Sequence, residues 1–177
     1  MSIIMKCYEW VLQRFDYMMY AKHIGVNMGE KCRLLGRPSF GTEPYLITLG
    51  NHVSISAGTT FHTHEGAHWV LKGLDSQYNT VFGYGRITIK DNVYIGYGVT
   101  ILRGVTIGEN TIVGACSLVN KSLEPNSVYA GVPAKRICSL EEWKTKFLAD
   151  MPDYDLSAYT KDKKREVLRI VDKFSPR

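Results

Sequence analysis

Hydrophobic positions in the middle of the chain recur every six residues. Ile89, Ile95, Ile101, Ile107, Val113 and Val119 form an unbroken series of β-branched aliphatic residues. A second series lies four residues after each member, at Val93, Val99, Val105, Thr111, Ser117 and Leu123. Gly96, Gly108 and Gly114 directly follow their anchors. A half-buried strand repeats every two residues and an amphipathic helix about every 3.6, so neither explains a period of six. That period suits short strands joined by tight corners, three to each turn of a triangular coil.

The same register recurs upstream in two pieces. One is Leu49, Ile55 and Phe61, with Val53 and Thr59 in the second series. The other is Met28, Leu34 and Phe40, with Cys32 in the second series. The spacing predicts coils over 28–45, 46–64, 87–104 and 105–122. Three extra residues separate the first two sets, and a long insertion, EGAHWVLKGLDSQYNTVFGYGR, follows His64. Stacked coils bury a continuous aliphatic column and pair their backbones with the coils above and below.

The flanks read differently. Residues 4–23 place Ile4, Tyr8, Val11, Phe15 and Met18 largely on one face of an amphipathic helix. Residues 139–150 start as a helix, with Ser139 as N-cap and Glu142 at capping-box distance. Residues 160–174 predict a third helix with apolar Val167, Leu168, Val171 and Phe174. Such helices cover the ends of the column or pack on a neighbour, and the first also has the character of a helix lying on a membrane surface. The expected organisation is an N-terminal helical cap over 1–24, a coil domain over 25–137 with an inserted loop at 65–86, and a C-terminal helical extension over 138–177.

Composition adds little to the fold. The 177 residues are 45% hydrophobic and 22% charged, ordinary for a soluble globular protein. The net charge of +5 suits a phosphate-bearing ligand, an anionic polymer or a membrane surface, and equally a mildly basic protein with none of these. No nucleic-acid partner is expected. Four cysteines without CxxC spacing, and no leader sequence before them, suggest a reducing cytoplasmic location. No run approaches the ~18 apolar residues of a membrane span.

Breaks in a regular repeat are where function is expected. They are the cluster FHTHEGAH with His62, His64 and His68, the insertion after it, and the C-terminal run VTIGENTIVGACSLVNKSLEPNSVYAGVPAKRI. On these motifs, over about 25–137, the chain resembles the hexapeptide-repeat acyltransferases, the superfamily of galactoside, maltose and xenobiotic acetyltransferases. It is most similar to bacterial sugar and polysaccharide O-acetyltransferases. Gly114-Ala115-Cys116-Ser117 departs mildly from that family's GAGS, and Asn120-Lys121 from its Thr-Lys.

The resemblance implies a left-handed parallel β-helix, a homotrimer with sites between subunits, and acetyl-CoA as co-substrate with no metal. It aligns His64 with the family's catalytic histidine. A hydroxyl must lose its proton as it attacks a thioester, and a neutral imidazole suits that task near neutral pH. Direct transfer needs no acyl-enzyme, and Cys116 lies inside a repeat with no adjacent base. The resemblance also assigns Tyr97 and Ala115 to the pantetheine arm, Asn120 and Lys121 to the adenosine end, and Lys135 with Arg136 to the phosphates.

The acceptor side is less determined. Glu43, one coil before His64, reads as an acceptor ligand or as a turn carboxylate. His62 lines the site or faces solvent. Glu65 is a candidate to orient the imidazole, as is a backbone carbonyl. Trp69, Asp75 and Tyr78 form a lid, a sugar platform or loop packing. The implied reaction is acetylation of a sugar or polysaccharide-precursor hydroxyl, with an antibiotic or xenobiotic acceptor, or an amino-sugar N-acetylation, as variants. Two other classes share the fold. A γ-type zinc carbonic anhydrase needs histidines on two coils, yet all five lie at or before residue 68 with no H-x4-H pair. A non-catalytic trimeric scaffold would not need His64 or the AGVPAK segment.

Overall fold

The structure, a computed structural model, describes residues 3–152 and 154–173. Phe174, expected on the last helix, lies outside the described residues. The chain forms two compact units, Met1–Leu140 and Glu141–Arg177.

The first unit opens with α1 (Ile3–Phe15) and α2 (Tyr17–His23). The single helix expected over 4–23 is thus two. Asp16 stands between them and caps the second, its carboxylate accepting from Met19 N. The division separates two roles. Ala21 on α2 is fully buried at the end of the aliphatic column, and Tyr17 packs on Phe40 while its hydroxyl donates to Pro38 O. α1 buries no residue and leaves Ile3, Ile4, Val11 and Phe15 exposed.

The coils follow. The first contributes β1 (Asn27–Met28) and β2 (Arg33–Leu34), the second β3 (Ile47–Leu49), β4 (Ser54–Ile55) and β5 (Thr60–His62). The insertion begins with β6 (His64–Glu65), carries α3 (His68–Leu74), and ends with β7 (Gly83–Tyr84). The third coil holds β8 (Ile87–Ile89), β9 (Tyr94–Ile95) and β10 (Thr100–Leu102); the fourth holds β11 (Thr106–Ile107), β12 (Ile112–Val113) and β13 (Leu118–Val119). The chain then forms β14 (Ser127–Ala130) and β15 (Lys135–Ser139).

These strands form three parallel sheets that the chain visits in rotation. β1, β3, β8 and β11 make the first, β2, β4, β9, β12 and β14 the second, and β5, β10 and β13 the third. The register stacks the predicted anchors on one another: Leu49 on Ile89 and Ile107, Ile55 on Ile95 and Val113, Phe61 on Ile101 and Val119. Ile89, Ile95, Ile101, Ile107, Val113 and Val119 are fully buried, and the second series is buried beside them. The six-residue period is therefore the interior lining, alternate residues of each short strand pointing inward.

The corners add a pattern absent from the hydrophobic periodicity. His52, Asn92, Asn110 and Asn126 each have φ between 54° and 56°; the first three stand immediately before Val53, Val93 and Thr111 of the second series, and Asn126 before buried Ser127. Asn tolerates this left-handed conformation better than most side chains. Their side chains join in a ladder along the coil axis, His52 to Asn92 at 2.8 Å, Asn92 to Asn110 at 2.8 Å and Asn110 to Asn126 at 3.0 Å.

At the C-terminal end the second sheet gains an antiparallel strand. β15 pairs with β14, so Cys138 and Ser139 belong to a strand, and the helix after it is α4 (Leu140–Ala149). In the second unit, α5 (Leu156–Lys161) and α6 (Lys163–Lys173) replace the single helix expected over 160–174. Glu166 is buried there, accepting from Asp155 N and from the Arg169 guanidinium. No helix among the described residues is long and apolar enough to cross a membrane.

Candidate active site

The two breaks in the repeat meet at one corner. The three extra residues between coils one and two form a 3-10 turn, Pro44–Leu46, with Glu43 at its N-cap. Gly41 makes this approach possible. Its φ is +67°, and a Cβ there would stand 3.0 Å from Phe61 O on β5. One coil on, the chain leaves β5 through buried Thr63 and enters the insertion at His64.

Three groups converge on the Glu43 carboxylate. Thr63 Oγ1 donates to Oε2 at 2.6 Å, Thr42 Oγ1 donates to Oε1 at 2.7 Å, and His64 Nδ1 lies 2.9 Å from Oε2. The Thr63 bond, then the Thr42 bond, then the His64 bond hold the carboxyl at about 2, well below its ordinary 4.5. An ionised carboxylate only accepts, so Nδ1 carries the imidazole proton and Nε2 keeps its lone pair. The Glu43 side chain is 13% exposed and His64 44%, so the anion is sheltered while the imidazole faces outward.

Two of the other acceptor-side candidates, Glu65 and Asp75, make hydrogen bonds within the insertion. Glu65 points into its own loop, where Oε1 accepts from Ala67 N at 2.9 Å. Its backbone oxygen is 2.6 Å from His68 Nδ1. The carboxylate at the imidazole is therefore Glu43, not Glu65. Asp75 caps the turn Ser76–Thr80 by accepting from Gln77 N, and Tyr78 lies within that turn. Trp69 stands on α3 with 78% of its surface exposed. His62 is exposed on β5, opposite Leu102 of β10.

Of the donor-side candidates, Tyr97, Ala115, Asn120 and Lys121 lie on corners flanking the third sheet. Tyr97 and Ala115 precede β10 and β13, and Cys116 N donates to Tyr97 O at 2.7 Å, stacking the two corners. Both are exposed, as is Cys116, whose φ of +57° fits the Gly of the GAGS pattern. Asn120 and Lys121 follow β13, on the corner where His64 follows β5. Leu118 N donates to Gly131 O, and Ala134 N to Leu118 O, tying β13 to the turn before Lys135. Lys135 and Arg136 lie on β15, with Arg136 Nε donating to Ser127 Oγ at 3.1 Å. Among the described residues, no three His, Cys, Asp or Glu side chains gather in a group able to hold a metal ion.

Known proteins resemble this chain in sequence and fold. Residues 86–121 match the model of the bacterial transferase hexapeptide (six repeats). The chain is 41% identical over 155 residues to Protein CapG of Staphylococcus aureus, covering 86% of each. It is 38% identical over 101 residues to the galactoside O-acetyltransferase of Escherichia coli K12, covering 56% of this chain and 47% of that protein, so it spans about half the length of that relative. A solved galactoside acetyltransferase in complex with coenzyme A superimposes with a TM-score of 0.54 at 28% identity, over 72% of each chain.

The rotating parallel sheets, the paired histidine and these likenesses define an acyltransferase class. The chain belongs to the hexapeptide-repeat transferase family.

Proposed function

We propose that this protein is an acetyl-CoA-dependent O-acetyltransferase acting on a sugar hydroxyl in cell-surface polysaccharide biosynthesis, with His64 as general base. The observation that carries this reading is the 2.9 Å contact between His64 Nδ1 and a Glu43 carboxylate already held by two threonine hydroxyls. It supports an imidazole fixed in one tautomer with Nε2 directed to the acceptor. The acceptor oxygen attacks the thioester carbon as its proton passes to Nε2. The C–S bond then breaks, the proton goes to the departing sulfur, and the products are an acetyl ester and the free thiol of coenzyme A. The sugar acceptor is supported by the likeness to galactoside O-acetyltransferases.

In this reading the sheets wind as a left-handed β-helix, and three copies assemble. The 44% exposure of His64 on one chain supports a site completed by a neighbouring subunit, because catalysis by a base of this kind benefits from excluded water. Tyr97 and Ala115 line the pantetheine arm. Asn120 and Lys121 meet the adenosine, and Lys135 with Arg136 meets the phosphates, where cations complement the charge. Four unpaired cysteines support a cytoplasmic location.

The test is thiol release from acetyl-CoA with a panel of sugar acceptors. His64→Ala should lose about 10²-fold or more in rate while still gaining thermal stability from coenzyme A. Near-full activity in that variant overturns the assignment.

A further inference from the structure

The insertion contains a feature that the general-base reading does not use. β6 and β7 pair antiparallel, with His64 opposite Tyr84 and Glu65 opposite Gly83. Directly paired residues share a face of the ribbon, and residues two apart along a strand share one too. His64, Tyr84 and Phe82 therefore lie on one face, and Glu65 and Gly83 on the other.

The two faces differ in chemistry. Behind Gly83 and Gly85 lie Arg103 and Gly104 of the coil corner after β10. This glycine face is how the ribbon lies close against the coil. The opposite face is a train of rings. His64 and Tyr84 have centroids 6.1 Å apart, Tyr84 and Phe82 are stacked at 6.0 Å with 20° between planes, and Phe82 and His68 are 5.5 Å apart. Lys72 Nζ sits 4.3 Å from the Phe82 centroid, so Tyr84, the ring beside the base, is the centre of the surface. Tyr84 and Phe82 are each 54% exposed. Contiguous exposed rings fixed by a backbone ladder mark a binding surface. This one starts at the imidazole that receives the acceptor's proton.

We propose that Tyr84, backed by Phe82, is the acceptor platform, stacking against the apolar C–H face of a pyranose ring and so presenting one of its hydroxyls to His64 Nε2. The proposal rests on His64 being the general base of a sugar acetyltransferase. It moves acceptor recognition from Trp69, Asp75 and Tyr78 to the end of the insertion that pairs with His64. A ring-shaped acceptor with an apolar face fits, because an aromatic side chain offers flat apolar area beside a polar site.

The experiment compares wild type, Tyr84→Ala, Tyr84→Leu, Tyr84→Phe and Phe82→Ala. Acetyl transfer is measured to a panel of methyl hexopyranosides and to glycerol, an acyclic alcohol with no ring face. Tyr84→Ala and Tyr84→Leu should raise the pyranoside KM about 10-fold, the scale of one lost ring contact. They should leave the KM for acetyl-CoA and the rate with glycerol unchanged. Tyr84→Phe should keep the wild-type KM, and Phe82→Ala should show a smaller rise. Tyr84→Leu retains apolar bulk in the ribbon, so it reads the loss of the ring should Tyr84→Ala misfold. A pyranoside KM within about twofold of wild type in Tyr84→Leu overturns the platform. So does a rise in the KM for acetyl-CoA instead, which would assign the ring to the donor. If wild type acetylates glycerol but no pyranoside, the sugar reading itself fails and the platform with it.

Discussion

Glu43 Oε2 lies 2.9 Å from His64 Nδ1 although 21 residues separate the two in the chain. One coil of this stack at that level is 21 residues long, as the bond between Arg33 and Ser54 also shows. The two residues therefore occupy successive levels of one corner. The rest of the site follows from that stacking, and it yields four expectations.

Glu43→Gln should cost about 10²-fold in rate with little change in acetyl-CoA binding. Thr42 donates to Oε1 while Thr63 and His64 share Oε2, so an amide oxygen that keeps the Thr42 bond puts the N–H₂ where it meets His64 Nδ1 and the Thr63 hydroxyl oxygen, which can accept. An amide donating to Nδ1 selects the tautomer with its proton on Nε2, which cannot act as a base. Steady-state kinetics alongside coenzyme A binding checks this, and an unchanged rate would separate Glu43 from the chemistry.

Glu43 should titrate near 2 rather than 4.5. The Thr63 hydroxyl is the largest cause, so Thr63→Val, which keeps the buried volume, should move the midpoint up toward 4.5. The sign for stability follows from linkage. A carboxyl with a lowered value in the folded state stabilises fully above its unfolded value and loses that contribution as pH falls toward 2. Carboxyl carbon NMR across this range in both proteins measures the two midpoints.

Gly85→Ala should disable the site more than the fold. A Cβ there would stand 2.7 Å from Gly104 N and 3.2 Å from Arg103 Cβ, and backbone cannot rotate away as a side chain does. Gly85 N also donates to Thr63 O at 2.8 Å, directly before His64. Displacing β7 should lower the transfer rate about 10²-fold, while unfolding free energy falls by about 1–3 kcal/mol. Rate and urea unfolding measured on one preparation separate these effects.

Asn110→Ala should destabilise the coil by about 2 kcal/mol, and Asn110→Gly by about half that. Both lose the ladder bonds to Asn92 and Asn126. Only Ala also meets the cost of a φ of +54°. Equal midpoints for the two variants in urea would show that the backbone conformation contributes nothing.

Much of the fold is legible in the chain. Inward-facing strand residues contact the same neighbours at every coil, so a six-residue period must be written into the sequence. That is why spacing alone places Ile89 through Val119 and the interruption after His64. The corner ladder is less visible, because His52 and three asparagines share a backbone conformation and not a side-chain type. The division of α1 from α2 turns on one cap, and the α5–α6 break falls inside a continuous helical pattern; neither disturbs the apolar period. β15 escapes a sequence reading because antiparallel pairing at a sheet end has no hexad signature.

The site divides along the same line. The coil, its two interruptions and the histidine at the longer one are properties of the linear chain, since they depend on local spacing and residue type. Which carboxylate serves that histidine, and which aromatic rings stand beside it, emerge only when the coils stack. A linear reading offers Glu65, the nearer in sequence, to orient the imidazole, and gives Glu43 to the acceptor or to a turn. Stacking brings Glu43 under the imidazole, while the insertion's own turn takes Glu65. Likewise Tyr84 reaches His64 through antiparallel pairing across the whole insertion, a long-range register that no local pattern encodes.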